Sequence, residues 1–441
     1  MGTRTYSFKS ASGETAPTRR IGRRAVLKGA AAIAGAAIGS GAVRGFPTIW
    51  AQNIKDVTLN HIGMSYSTII DIARKASEDL GFKIEMTVTD HPGFINRVTT
   101  QPDSVDIADG ELWQAVLIVP RGVYQPVDPK RIKLWDKITP IYREGKFMGQ
   151  EMSRQGNAPF EVQYLADAEG KSFASGPTEY ATFMCGFYNA DTLGMRPDLI
   201  KRPIESWAEL FNPEFKGKAA IQDIPTNGIM DAAMALEARG DIKYGDKGEM
   251  TREEIDKTID ALIDLKKQGH WRALWSTFDE SVNLMAAGEV VLQSMWSPAV
   301  TAVRSRGIPC YYVPLKEGYR GWGNGLALMR HLKGIKLDAA YEYLNWYNSG
   351  WVGGFIAKQG YYVGVPETAK EFLTENEWGY WYEGKAATED IKDPYGTVME
   401  KAGAKRDGGS YEERFSRIAC WNSAMKEARY VNEKWNEFRT A

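Results

Sequence analysis

The chain has 441 residues, with 55 Lys and Arg against 56 Asp and Glu, a formal charge of −1. Nucleic-acid binding rests on Lys and Arg displacing phosphate counterions, and beyond residue 51 there is no basic stripe or interleaved aromatic motif, which excludes DNA, RNA and anionic lipid surfaces as partners. Cys185, Cys310 and Cys420 are too far apart for a metal knuckle, a CxxC pair or a dense disulfide framework, so buried inert thiols are expected.

The first informative segment is Arg23-Arg24, followed by Ala25-Val26-Leu27-Lys28 and an uncharged run from Gly29 to Val43. A basic stretch, a short apolar stretch and small residues near a cleavage point are the layout of a secretory leader. The run falls short of the roughly 20 apolar residues that a membrane-spanning helix requires. Gly22 to Lys28 resembles the twin-arginine export pattern, with Gly22 standing where Ser or Thr is usual, and Arg44 suits that route. The resemblance implies export in the folded state to the periplasm, with residues 1–51 removed after Ala51. The alternative is a basic tail ahead of a cytosolic domain. Loss of the eight basic and one acidic side chains of that segment, from totals of 55 and 56, leaves a formal charge of −8. The remaining length of about 390 residues suits two domains.

Val57 to Ile62 reads as a short strand, and Ser67 opens a stretch with Ile69, Ile70, Ala73, Ala76 and Leu80 at helical spacing, ending at Gly81. Ile84, Met86 and Val88 then alternate with polar residues, as a strand with one buried face does. A parallel pairing of these strands needs the helix as its crossover, so the chain opens as α/β. Thr251 and Glu254 are spaced as a capping box ahead of Ile255, Ile259, Leu262 and Ile263, with Gly269 as the stop. A helix over 279–287, a turn at Gly288 and a strand over 290–295 follow. Gly321-Trp-Gly-Asn-Gly325 reads as a turn that lets backbone approach a ligand. Ser410 and Glu413 form a second capping box, and Phe415, Ile418, Met425, Ala428, Trp435 and Phe438 predict one long helix to the C-terminus. Loops are predicted at 154–159, 240–248 and 401–410, none of them a linker between independent domains.

Catalytic motifs are missing. His61, His91, His270 and His331 show no HExxH or other ligand spacing, and there is no GxSxG elbow or GxxxxGK[ST] loop. No catalytic residue, cofactor or metal site is expected. Fourteen Trp and 21 Tyr are a better lead. Several stand beside turn residues: Trp113 after Gly110-Glu111, Trp296 before Ser297-Pro298, Trp322 between glycines, and Tyr361-Tyr362 after Gly360. Such rings can stack on a ligand or face a cation at roughly 0.5 to 2 kcal/mol each.

The segments Ser206 to Lys218, Asp279 to Trp296, Pro314 to Gly318 with Trp322, Ala339 to Asn345 and Gly360-Tyr361 occur in an order similar to that of the extracellular solute-binding proteins of ABC importers, in their spermidine/putrescine-receptor branch. The resemblance spans nearly all of residues 55–370. It implies an α/β fold, the two-lobed type II periplasmic binding protein clamp with hinge crossovers, closing on a solute. It also implies a first lobe from 52–183 and 322–365 and a second from 184–321 and 366–441. In that branch Trp296, Trp322 and Tyr361 fall on positions lining the ligand cleft, and Asn324 stands where an Asp pairs with a ligand amine. Trp113 or Glu111 completes the first lobe's wall. Asn60 to Gly63 replaces an aromatic and an acidic residue, and the paired acids expected near Asp223 to Met230 are not matched, Thr226 and Asn227 lying near the place.

A desolvated ammonium without a counter-charge costs several kcal/mol, and two or three cation–π contacts return about 1.5 to 4. That falls short of the roughly 8 kcal/mol of a micromolar site. The cleft is therefore expected to prefer a monocation, a zwitterion or a neutral polar solute unless Glu111, Asp109 or Asp223 supplies a carboxylate. The function implied is capture of a small organic nitrogen solute by a monomer, without catalysis, and delivery to an ABC permease in the inner membrane. The rival readings are an exported hydrolase and a sensory ligand-binding subunit on the same clamp.

Overall fold

A computed structural model describes residues 54–441; the leader and its cleavage point lie outside the described residues. Strand β1 (Thr58–Gly63), helix α1 (Ile70–Leu80) and strand β2 (Lys83–Val88) form the expected right-ordered unit, with β1 and β2 parallel in the register Leu59 to Ile84. Gly81 ends α1 at φ 75°, the left-handed region that glycine enters without a Cβ clash. Helix α2 (His91–Thr100), capped by Asp90 accepting from the Gly93 amide, returns the chain to β3 (Ile107–Glu111), also parallel to β1. Helix α3 (Leu112–Ile118) starts directly at the end of β3.

Strand β4 (Met184–Met195) is buried along all twelve residues. It is followed by β5 (Ala219–Gln222), α4 (Pro225–Arg239), α5 (Arg252–Lys267) and β6 (Trp271–Trp275). The Thr251–Glu254 capping box is present at the start of α5, and a further one, Thr277–Glu280, starts α6 (Phe278–Ala287). Strand β7 (Leu292–Met295) leads into α7 (Ser297–Ser305), and β8 (Tyr319–Met329) is again wholly buried. Helix α8 (Gly334–Tyr347), α9 (Trp351–Ala357) and the short β9 (Tyr362–Val363) complete this part.

The main sheet has the order β2-β1-β3-β8-β4-β7-β5-β6. Its two flanks are parallel, as βαβ connections require, while the middle pairings β3–β8, β8–β4 and β4–β7 are antiparallel. Strand β4 carries the chain between two apolar cores. One contains Leu59, Ile72, Phe94, Ile107, Phe187, Leu326 and Tyr343, and the other Leu193, Trp207, Ile221, Ile229, Ile255, Leu262 and Trp435. Strand β4 pairs with β8 up to Asp191 and with β7 from Thr192 onward, so it serves both.

Two expectations are corrected. Residues 321–325 are not a turn; they lie inside β8. Glycine is needed there for close packing, since a Cβ on Gly323 would stand 2.1 Å from the Tyr142 hydroxyl and one on Gly325 2.3 Å from the Phe183 ring. The C-terminal stripe is not one helix either. A short helix (Tyr411–Phe415) ends at Ser416, strand β10 (Ile418–Trp421) pairs in parallel with β8, and helix α10 (Ala428–Thr440) follows. The free edge of β8 offers backbone partners that outweigh the local helical pattern. All three cysteines are free and buried, and burial pushes the Cys310 and Cys420 thiols up to about 12.

Candidate functional site

The C-terminal end of β3, the middle of β4 and β8, the segment after β1 and the segment before β9 converge where the two cores meet. β3 delivers Glu111 at its last position, and the α3 helix that begins there holds Trp113 two residues away. The Trp113 indole N–H donates to Glu111 Oε2 at 2.7 Å, and the Tyr66 hydroxyl, from the segment after β1, donates to Oε1 at 2.9 Å. His91 Nε2 stands 3.7 Å from the same carboxylate. Glu111 is 6% exposed, so this is a buried acid held by neutral donors, with one face toward the rings.

The rings form a run of edge contacts. Tyr66 meets Trp322 of β8 at 5.2 Å between centroids, Trp322 meets Tyr361 at 5.9 Å, and Tyr361 lies parallel to Phe187 of β4 at 6.3 Å. Edge-to-face packing suits the aromatic quadrupole. Tyr361 is half-buried and Trp322 is 8% exposed. The carbonyl of the preceding Gly360 accepts from Asn189 at 3.1 Å and from Arg406 at 3.0 Å, which fixes the approach of Tyr361. Burial raises the Tyr66 hydroxyl well above its ordinary value, with Glu111 and Asp109 adding to the shift, so Tyr66 stays a donor.

Beneath the rings lies a buried ionic group. In the antiparallel pairing of β8 with β4, Arg320 is opposite Asp191 and Trp322 opposite Asn189, and alternation puts these four side chains on one face. Arg320 Nε donates to Asp231 Oδ1 of α4 at 2.8 Å, Nη1 donates to Asn422 Oδ1, and Nη2 lies 3.6 Å from Asp191 Oδ2. Asn422, one residue beyond β10, also donates from Nδ2 to Glu111 Oε2 at 3.3 Å. One amide thus ties the acid of the first core's wall to the arginine of the second. Burial drives the Asp191 carboxyl up to about 7, with Asp231 and Glu111 adding to it and Arg320 and Trp322 opposing it. Burial raises Asp231 as well.

Of the residues singled out from the sequence, Glu111, Trp113, Trp322 and Tyr361 come together here. Trp296 does not join this run of rings: it is half-buried at the end of β7, packed on Trp275 at 4.9 Å and Phe278 at 6.5 Å. Asn324 is fully buried, its Nδ2 donating to Asp109 and its Oδ1 accepting from the Phe187 amide. Asp109 is held between that amide and His61 at 3.3 Å, and Asp223 accepts from Trp435 and Arg439, each at 2.7 Å. Of the three carboxylates named as sources of counter-charge, Glu111 alone reaches the rings. Sequence reasoning missed Tyr66, Asp191, Arg320, Asp231 and Asn422. The alternation Asn189, Asp191 in an apolar strand was a usable signal for Asp191, whereas nothing local marks Asn422. Among the described residues no group of three His, Cys, Asp or Glu is arranged to hold a metal ion.

The model of a bacterial extracellular solute-binding protein matches residues 42–350. The spermidine/putrescine-binding periplasmic protein of Escherichia coli strain K12 is 30% identical over 148 residues, 33% of this chain and 39% of that protein. The matched part thus spans well under half the length of this curated relative. Among solved structures, the Treponema pallidum lipoprotein Tp0655 superposes with a TM-score of 0.61 at 10% identity, covering 87% of this chain and 100% of the other. The spermidine/putrescine ABC transporter substrate-binding protein of Streptococcus pneumoniae gives 0.58 at 13% identity, covering 87% and 98%. These likenesses establish the fold as the two-lobed clamp of periplasmic binding proteins.

Proposed function

The chain belongs to the bacterial extracellular solute-binding proteins, and from that membership we propose that it is the substrate-binding component of an ABC importer for a small organic nitrogen solute, polyamine-like, monocationic or zwitterionic. The observation that carries the reading is Glu111, a carboxylate held by Tyr66 and Trp113 beside the Trp322–Tyr361 rings. An ammonium group entering there gains a charge-assisted hydrogen bond in addition to ring faces, which offsets the desolvation cost that rings alone leave uncovered. Spermidine and putrescine name the Escherichia coli relative, which supports the nitrogen chemistry.

The proposal includes a periplasmic monomer that releases its solute unaltered to an inner-membrane permease. Its lobes are residues 52–183 with 322–365 and 184–321 with 366–441, hinged where β4 and β8 cross. A thermal-shift screen of polyamines, γ-aminobutyrate, betaines, amino acids and sugars tests it. A ligand at 100 times its dissociation constant adds about 2.7 kcal/mol to stability. The expected result is stabilisation by one or more amines and a flat response to sugars. Stabilisation by sugars alone, or turnover of a bound amine, overturns the reading.

A further inference from the structure

We infer that Asp191 is a second anionic seat for the solute's ammonium group beside Glu111, in the place of residue 324, and that binding is coupled to loss of the proton from this carboxyl. The inference rests on the proposed capture of a nitrogen solute and adds to it the residue, the donor type and the coupling to pH.

Three observations carry it. Asn324 cannot serve, because both ends of its amide are engaged by Asp109 and the Phe187 backbone. The β4–β8 register places Asp191 diagonally beside Trp322, the ring at the centre of the aromatic run, and the indole lies close enough to favour the charged form of the acid. The side chain of Asp191 is 3% exposed, yet Oδ2 has no hydrogen-bond partner among the described residues. A buried carboxyl oxygen left unmatched is destabilising, and such atoms call for a partner that the bare chain does not supply. Arg320 forms an ion pair with Oδ2 at 3.6 Å but no hydrogen bond, its N–H groups going to Asp231, Asn422 and Gln222.

The groups facing Asp191 decide its proton. Arg320 of β8 and the Trp322 indole favour the anion, and Asp231 of α4 and Glu111 at the β3–α3 junction oppose it. The Tyr312 hydroxyl, which donates to the Ala190 carbonyl at 2.7 Å, stands 3.4 Å from Oδ1, and Tyr361 lies within electrostatic range. Burial outweighs the favourable partners and holds the empty site's carboxyl near neutrality, at about 7. An arriving R–NH3+ group donates one hydrogen bond to Oδ2 and makes the anion the preferred form, so the carboxyl proton passes to solvent as the cation enters. A quaternary ammonium, with no N–H, cannot make that bond.

Calorimetric titrations with putrescine, γ-aminobutyrate and glycine betaine test this at pH 6 and 8, with proton release measured at pH 6.5 from buffers of different ionisation heat. The expected result is binding of putrescine or γ-aminobutyrate about tenfold weaker at pH 6 than at pH 8, with release of about three-quarters of a proton per solute at pH 6.5. Asp191→Asn should remove both the release and the pH dependence and weaken binding at pH 8 at least tenfold. Release that persists in Asp191→Asn assigns the proton elsewhere and overturns the inference. So does amine binding that is flat with pH, or betaine binding as tight as the primary amines, and these results leave the proposed function standing. Stabilisation by sugars with no amine bound removes both.

Discussion

Asp191 also controls stability, because its folded and unfolded forms hold a proton differently. The folded carboxyl titrates at about 7, against about 3.9 in an unfolded chain. A raised acid contributes stability that is complete below the unfolded value and is lost as pH rises through the folded one. Asp191→Asn removes that loss, so its stability relative to the natural chain should climb between pH 4.5 and 7.5, by at most about 1.4 kcal/mol for each pH unit. Urea unfolding at the two values measures it, and a constant difference would show that the carboxyl does not titrate in this window. Trp322→Ala and Trp296→Ala form a second comparison. Trp322 touches Tyr66 and Tyr361, whereas Trp296 packs on Trp275 and Phe278. Trp322→Ala is expected to weaken solute binding tenfold or more, and Trp296→Ala much less, as read by calorimetry. Four of the six residues named from the sequence meet in space: Glu111 ends β3, Trp113 opens α3, Trp322 lies inside β8 and Tyr361 precedes β9. Asn324 and Trp296 do not join them: neither the glycines beside Asn324 nor the Ser297-Pro298 turn beside Trp296 says which neighbours a side chain meets.

Among elements, those held by local chemistry were legible and those held by distant pairing were not. The Thr251–Glu254 and Ser410–Glu413 capping boxes and the Gly81 stop appear where their spacing placed them, since each is completed within a few residues. The stretch from Phe415 to Phe438 has an apolar spacing compatible with one helix, and it breaks because β10 finds the edge of β8, where Tyr319 pairs with Ile418 and Gly321 with Trp421. That break sets Asn422 between Glu111 and Arg320 and frees α10 to dock on α5, where Lys266 donates to the Phe438 and Arg439 carbonyls. Trp435 anchors the docking: it is fully buried, its indole donates to Asp223 at 2.7 Å, and a Cβ on Gly228 would stand 2.4 Å from its ring. Trp435→Ala should cost about 3–5 kcal/mol, measured by urea unfolding at pH 7.5. A cost below 1 kcal/mol would mean that α10 is not a structural part of the second core.

For the whole molecule, the two-lobed clamp fold with cores joined by β4 implies hinge motion, and a solute held at their junction should draw them together. Small-angle scattering is expected to give a smaller radius of gyration with bound amine than without it. Equal values, with binding verified in the same sample, would argue for a rigid receptor. The α/β class, the opening βαβ unit and the capping boxes were determined by the sequence itself, because periodicity, capping and turn chemistry act over a few residues and leave their mark there. The placement of Arg320 against Asp231, the turning inward of Asn324, the insertion of Asn422 and the unmatched oxygen of Asp191 were decided only by the tertiary structure. Each depends on which strands become neighbours and in what register, and a one-residue shift in register would send every one of these side chains to the opposite face.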